Sequence, residues 1–277
     1  MNSLDFTNPA RDELYDPKIA HECFESLGQS CDLAKDEAFF AENEKSNFIY
    51  LLIEGEVRLF RRKRVLDIVR RGEIFGEMAA ITGTPRTAWA IARTPCKALQ
   101  LNPTQFRKAL RATPEFALML IRIMINRIRV TLAVLARTGK LSKRLAAENE
   151  RVFSEEVIKE LSATLGNRPP IQIAAKKIIM REGDSGAFMY VVLSGRIAVY
   201  VNKVIIGHAG PGGAIGEIAL VDGSGRAVTA MAETDSALLP IGRDDFLKMV
   251  RSDPRFAVTM LRSVARKLAR MTATSAW

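Results

Sequence analysis

Residues 48–60 form apolar runs interrupted around Gly55 and at Arg58, and residues 188–200 repeat the arrangement around Gly195. Runs of this kind, broken by glycine and short turns, predict half-buried antiparallel strands. Shorter strands are expected at 65–69 and 204–208, with turns at 61–64 and at Asn202-Lys203. Alternation resumes over 87–101 and 227–241, so each half of the chain predicts a compact β-roll. The periodicity then becomes helical. Residues 103–112 and 243–251 read as short helices, and Pro114 and Pro254 stand where proline opens a new one. The helices that follow carry Phe116, Leu120, Met124, Ile128 and Leu132 on one face, and Phe256, Met260, Val264, Leu268 and Met271 on the other copy's face. Such a stripe ordinarily packs into a core; covering a ligand or meeting a partner helix is the alternative. A further helix is expected from about 152 to 165.

The two halves are copies of one unit. Tyr50, Gly55, Gly72, Gly76, Glu77, Gly83 and Arg86 recur as Tyr190, Gly195, Gly212, Gly216, Glu217, Gly223 and Arg226, always 140 residues later. Phe106, Pro114 and Phe116 keep the same register with Phe246, Pro254 and Phe256. A period this long marks duplication of a whole domain rather than a solenoid repeat. The expected fold class is α+β: two tandem β-roll, jelly-roll-like domains, each flanked by helices. The first is expected over 1–137, a linker containing Gly139 over 138–150, and the second domain over 151–277.

With 48% hydrophobic and 26% charged residues in a 277-residue chain, disorder is excluded as the default. A net charge of +10 brings nucleic acid, acidic partners and membrane surfaces into consideration. The basic residues are spread along the chain, dense only at 61–64 and more loosely at 137–144, with no aromatic-interleaved basic strand. Three cysteines make no disulfide framework, and the N-terminus does not read as a signal peptide, so a cytoplasmic location is expected. The most apolar stretch, 116–134, is interrupted by Arg122, Asn126, Arg127 and Arg129, which reads as an amphipathic helix and not a membrane span. His21, Cys23 and Cys31 lack a fourth ligand and a recognisable spacing, so no metal site is expected. Two histidines without clustered metal ligands argue against a metal-dependent phosphodiesterase, and no enzyme activity is expected.

The chemistry concentrates in 71–88 and 211–228. Gly76 and Gly216 allow close backbone approach, and the residues after them predict a short helical turn whose free N–H groups point at an anion. Arg86 and Arg226 follow the glutamates by nine residues, and the planar guanidinium fork suits phosphate. Glu77 and Glu217 need donors, which a sugar hydroxyl beside the phosphate supplies. The bland reading is a structural turn with a Glu–Arg salt bridge; conservation of glycine, acid and arginine at one spacing in both copies favours the ligand.

At these residues the chain resembles the cyclic nucleotide-binding domain family of catabolite activator proteins, protein kinase A regulatory subunits and cyclic nucleotide-gated channels. Phe75-Gly76-Glu77-Met78-Ala79 through Arg86-Thr87-Ala88 is similar to that family's phosphate-binding cassette, and Ile215-Gly216-Glu217-Ile218-Ala219 through Arg226-Ala227 to a second. The resemblance covers roughly 20–137 and 155–276. It implies that Glu77 and Glu217 accept the ribose 2′-hydroxyl, that Arg86 and Arg226 pair with the cyclic phosphate, and that the amides of Met78, Ala79, Ile218 and Ala219 assist. Thr87 and Ala227, next to the arginines, imply cyclic AMP at the second site, with cyclic GMP open at the first. Two departures stand out: Gly225 replaces Pro85, and Asn43-Glu44 stands where the second copy keeps the family's Gly183-Asp184.

The resemblance further implies a receptor without a cofactor that passes ligand binding to a partner protein through helix rearrangement. The stripe from Phe256 to Met271 is left as a lid or a homodimer seam. Catabolite activators follow such a domain with a helix-turn-helix; here the sequence stops at Trp277, so specific DNA binding is not expected, and a basic nucleic-acid-binding regulator under cyclic nucleotide control is the second reading. The segment before Ala20 has no Arg-Arg-x-Ser/Ala inhibitor sequence, so the protein partner is not named by the sequence.

Overall fold

The computed structural model describes residues 14–61, 64–141 and 151–274. The expected linker is therefore covered only through residue 141, and Arg62 and Lys63 of the dense basic run lie outside the described residues, as do Trp277 and residues 1–13 of the segment before Ala20. Contacts divide the chain into two compact units, Met1–Met124 with Asp253–Arg266, and Ile125–Ser252 with Lys267–Trp277.

The first unit opens with α1 (Pro17–Leu27), started by Asp16, whose side chain accepts from the Lys18 amide while Pro17 supplies the first turn. Strands β1 (Gln29–Leu33), β2 (Ala38–Phe40), β3 (Ile49–Glu54), β4 (Val57–Arg61), β5 (Arg64–Val69) and β6 (Ile74–Phe75) follow, then the short helix α2 (Glu77–Thr82) and strands β7 (Trp89–Ala92) and β8 (Cys96–Leu101). They form two antiparallel sheets, ordered β1-β8-β3-β6 and β2-β7-β4-β5. The run expected over 48–60 is thus two strands in different sheets, because Gly55 takes a φ of +93° and turns the chain. Phe39, Phe40, Tyr50, Leu52, Val57, Leu59 and Phe75 fill the space between the sheets, with Tyr50 and Phe75 stacked at 5.0 Å between centroids. Helix α3 (Pro103–Ala112) carries a full capping box, in which Asn102 accepts from Gln105 and the Gln105 side chain accepts from the Asn102 amide. The first half of α4 (Pro114–Arg137) belongs to this unit, and Phe116 meets Phe24 and Phe106 edge-on.

The second unit repeats the plan. Helix α5 (Glu155–Thr164) starts later than the pattern suggests because Ser154 caps it, accepting from the Val157 amide at 3.4 Å. Strands β9 (Ile171–Ile173), β10 (Ile178–Met180), β11 (Phe188–Ser194), β12 (Ile197–Val201), β13 (Val204–Ala209) and β14 (Ala214–Ile215) precede the short helix α6 (Glu217–Asp222), and β15 (Thr229–Ala232) and β16 (Ser236–Gly242) complete the roll. The sheets run β14-β11-β16-β9 and β10-β15-β12-β13, strand for strand the order of the first unit. The β12–β13 hairpin turns on Asn202 and Lys203, with φ of +47° and +66°, the left-handed pair that a two-residue turn between twisted strands requires. Helices α7 (Arg243–Ser252) and α8 (Pro254–Thr274) follow, and α8 enters this unit from Lys267 onward. The fold is α+β, two antiparallel β-rolls flanked by helices.

Candidate functional site

In both units the critical segment is a strand, a left-handed glycine and a two-turn helix. Gly76 and Gly216 hold φ of +77° and +83° at the N-caps of α2 and α6, and no side chain caps either helix start. A side chain at Gly216 would meet Arg226 Nη1 at 2.7 Å and the Phe188 carbonyl at 3.1 Å, so glycine is demanded by both backbone conformation and space. Gly83 and Gly223 end the helices, each at a φ of +72°, and return the chain toward its start.

The returning arginine is fixed through its own backbone. The Arg226 amide donates to the Asp184 carbonyl at 2.8 Å, and the Gly183 amide donates to the Arg226 carbonyl at 2.9 Å. Arg86 makes the same two bonds, donating to Glu44 O at 2.9 Å and accepting from Asn43 N at 2.8 Å. Asn43 sits at a φ of +67° where Gly183 sits at +87°, and asparagine is among the few residues that tolerate this region, so the departure at 43–44 leaves the geometry intact. Gly225 is likewise close-packed: a Cβ there would lie 2.8 Å from the Gly183 carbonyl.

In the second unit Gly216, Glu217, Ile218, Ala219, Arg226 and Ala227 line one cavity with Met180, Val199, Ile206, His208, Lys267, Arg270 and Met271. Glu217 and Arg226 are 3% and 6% exposed. Arg226 Nη1 donates to the Gly216 carbonyl at 3.0 Å. Its side-on fork, Nε with Nη2, has no hydrogen-bond partner among the described residues. Burial pulls the Arg226 guanidinium below its ordinary pKa, while Tyr190, Glu217 and Asp184 push it back up.

Lys267 is a charged cavity-lining side chain that the sequence reading did not identify. Its ammonium donates to Glu217 Oε1 at 2.6 Å and to the Ala214 carbonyl at 3.2 Å, tying α8 to the strand and helix that form the cavity floor. The only signal in the sequence is that the 140-residue repeat puts another cation, Arg127, at the equivalent position. The carboxylate of Glu217 accepts from Lys267 through one oxygen, and the cavity collects three cations, Arg226, Lys267 and Arg270, against that one carboxylate, a net positive lining suited to an anionic ligand that also carries a hydroxyl.

The first unit brings Glu77 and Arg86 equally close to burial, each 2% exposed, but disposes of the arginine differently. Arg86 donates from Nε to Ser46 Oγ at 2.9 Å, from Nη1 to the Gly76 carbonyl at 2.8 Å and from Nη2 to the Phe48 carbonyl at 2.7 Å. The guanidinium also lies 4.0 Å from the centroid of the Phe40 ring. Burial lowers its pKa, with Tyr50, Glu44 and Glu77 acting in the opposite direction. Ala79 is buried, Met78 half-buried and Thr87 exposed, whereas its counterpart Ala227 is half-buried in the cavity wall. Among the described residues no helix is long and apolar enough to cross a membrane, and no group of three metal-ligating side chains is present.

The family model described as the cyclic nucleotide-binding domain matches residues 31–113 and 170–253, together more than half of the chain. A protein of Mycobacterium tuberculosis named CRP-like cAMP-activated global transcriptional regulator is 29% identical over 139 residues, covering 46% of this chain and 62% of its own. A cAMP-dependent protein kinase regulatory subunit of Eremothecium gossypii is 24% identical over 224 residues, covering 79% of this chain and 43% of its own. The chain thus spans less than two thirds of either relative. Among solved structures, the regulatory domain of Toxoplasma gondii protein kinase A with cAMP is 17% identical at a TM-score of 0.33, with 94% of this chain and 90% of that one covered.

Proposed function

Since this chain belongs to the cyclic nucleotide-binding domain family, we propose that it is a cyclic AMP receptor, without catalytic activity of its own, that regulates a partner protein in the cytoplasm. The observation that carries the reading is the second unit's cavity, where a buried carboxylate and the open fork of Arg226 line the same space. The fork takes two oxygens of the cyclic phosphate, Glu217 accepts the ribose 2′-hydroxyl, and the amides of Ile218 and Ala219 face the phosphate. The corresponding first-site roles fall to Glu77, Arg86, Met78 and Ala79, and with Thr87 beside Arg86 that site is open to cyclic GMP as well.

Binding acts on α8, because Lys267, Arg270 and Met271 line the cavity from that helix. A ligand that bonds Glu217 and fills the space beneath α8 favours one of two helix arrangements, and the partner reads the difference. The relatives named as regulators of transcription and of a kinase support a regulatory role for the family's domain.

Calorimetric titration of the intact protein with cyclic AMP and, separately, cyclic GMP tests the proposal, since stoichiometry and base preference come from one pair of experiments. Saturable heat with cyclic AMP is expected, and absence of heat with both nucleotides at millimolar concentration overturns the reading. The net charge of +10 favours nucleic acid as the second reading. Duplex DNA titrated with and without cyclic AMP separates the two, because only a nucleotide-controlled DNA regulator gives tight binding at physiological salt that changes with the nucleotide.

A further inference from the structure

The two arginines are equivalent by sequence but present different edges. A guanidinium grips a phosphate with a pair of parallel N–H groups, and the side-on pair is Nε with Nη2. At Arg226 that pair has no hydrogen-bond partner among the described residues, and Nη1 alone is engaged. At Arg86 both members are spoken for, Nε by the Ser46 hydroxyl and Nη2 by the Phe48 carbonyl.

Two substitutions between the copies lie against the arginine side chain and bear on the difference. Ser46 corresponds to Gly186, and Phe40 to Met180. Gly186 has no side chain to offer, and Arg226 lies directly over its Cα: a Cβ built there would overlap Arg226 Nε and Cζ. Ser46 does carry a side chain, and Arg86 meets its hydroxyl while stacking on the Phe40 ring at 4.0 Å, a contact methionine cannot replace in kind. Arg86 is thereby satisfied by the protein itself, and a phosphate gains its fork only by displacing those donors' partners, which cancels much of the gain.

We infer that Ser46 sets the first site as the weaker of the two, acting as an internal acceptor that competes with the ligand phosphate for Arg86. This rests on the cyclic nucleotide reading and adds an order to it: the second site fills first, and the first responds only at higher ligand concentration. Gly186 is the corresponding permissive position of the second site.

The test measures each site alone in the full-length chain, with cyclic AMP as the probe. Arg226→Leu silences the second site, and Arg86→Leu the first. The isolated first site is expected to bind at least about tenfold more weakly than the isolated second site. Adding Ser46→Gly to the Arg226→Leu protein raises first-site affinity by about tenfold, and Ser46→Ala, which removes only the hydroxyl, gives a rise in the same direction. Conversely, Gly186→Ser in the Arg86→Leu protein weakens the second site. Equal affinities at the two isolated sites, or a first site indifferent to both Ser46 substitutions, overturn the inference while second-site binding keeps the receptor reading standing. Silence at both sites in all proteins overturns the two together.

Discussion

Lys267 Nζ lies 2.6 Å from Glu217 Oε1, an ion pair in which the carboxylate is 3% exposed and the lysine 23%. Its two members come from α8 and α6, so one contact links the helix behind the cavity to the helix that forms it. Lys267→Met leaves Glu217 buried beside no ammonium. Because the lysine is partly open to solvent, the expected loss of stability is about 1–2 kcal/mol, below the range for a fully buried pair. Cyclic AMP affinity at the second site falls about tenfold as well, since the cavity loses the cation that offsets its carboxylate against an anionic ligand. Urea unfolding and calorimetry report the two effects. Adding Glu217→Gln to Lys267→Met restores part of the stability, and a double variant no more stable than the single one contradicts the account.

Gly216→Ala puts a Cβ on a residue held at a φ of +83° and within 2.7 Å of Arg226 Nη1. Left-handed strain alone costs about 1–2 kcal/mol, and the displaced guanidinium adds to it. The variant should unfold at lower urea with an unchanged slope and lose second-site binding. A variant as stable as the parent contradicts the assigned backbone conformation.

Lys203 holds a φ of +66° in the β12–β13 turn, where asparagine followed by glycine is the favoured pair. Lys203→Gly should therefore stabilise the protein by about 0.5–1 kcal/mol despite the greater freedom glycine has when unfolded. An increased urea midpoint checks it, and a decreased midpoint contradicts the turn geometry.

Burial pushes the Tyr50 phenol up to about 12, against the opposing pull of the Arg86 charge. An unfolded tyrosine ionises near 10, so the neutral folded phenol contributes stability that is complete below about pH 10 and is lost as pH rises toward 12. Rapid pH-jump measurement of tyrosinate absorbance, native protein minus Tyr50→Phe, should show a component with its midpoint near 12. A midpoint at the ordinary tyrosine value refutes the burial argument. Replacing Arg86 by leucine should move that component further upward, because the cation that favours the ionised phenol is gone.

Much of the fold is written in local pattern. The strands around Tyr50 and Tyr190, the proline-opened helices α4 and α8 and the glycine-acid-arginine cassettes could all be read from spacing, because each depends on side-chain periodicity or on a backbone conformation that few residues adopt. The strands at 29–33 and 171–173 could not, since they are short, largely exposed and show no alternation of buried positions. Helix α1 went unread although Asp16-Pro17 marks its start. At the site, Glu217 and Arg226 are visible in the repeat, whereas the pairing of Lys267 with Glu217 joins residues fifty positions apart through tertiary packing. Ser46 and Gly186 stand in loops where nothing local announces that one hydroxyl decides which edge of an arginine is engaged.

In the proposed complex the open fork of Arg226 receives the phosphate of a cyclic nucleotide. The most direct measurement is calorimetric titration of cyclic AMP into the intact protein and into Arg226→Leu under identical conditions. The tighter binding event is expected to disappear in the variant, with its folding confirmed by an unchanged unfolding slope. Undiminished tight binding by Arg226→Leu would contradict it.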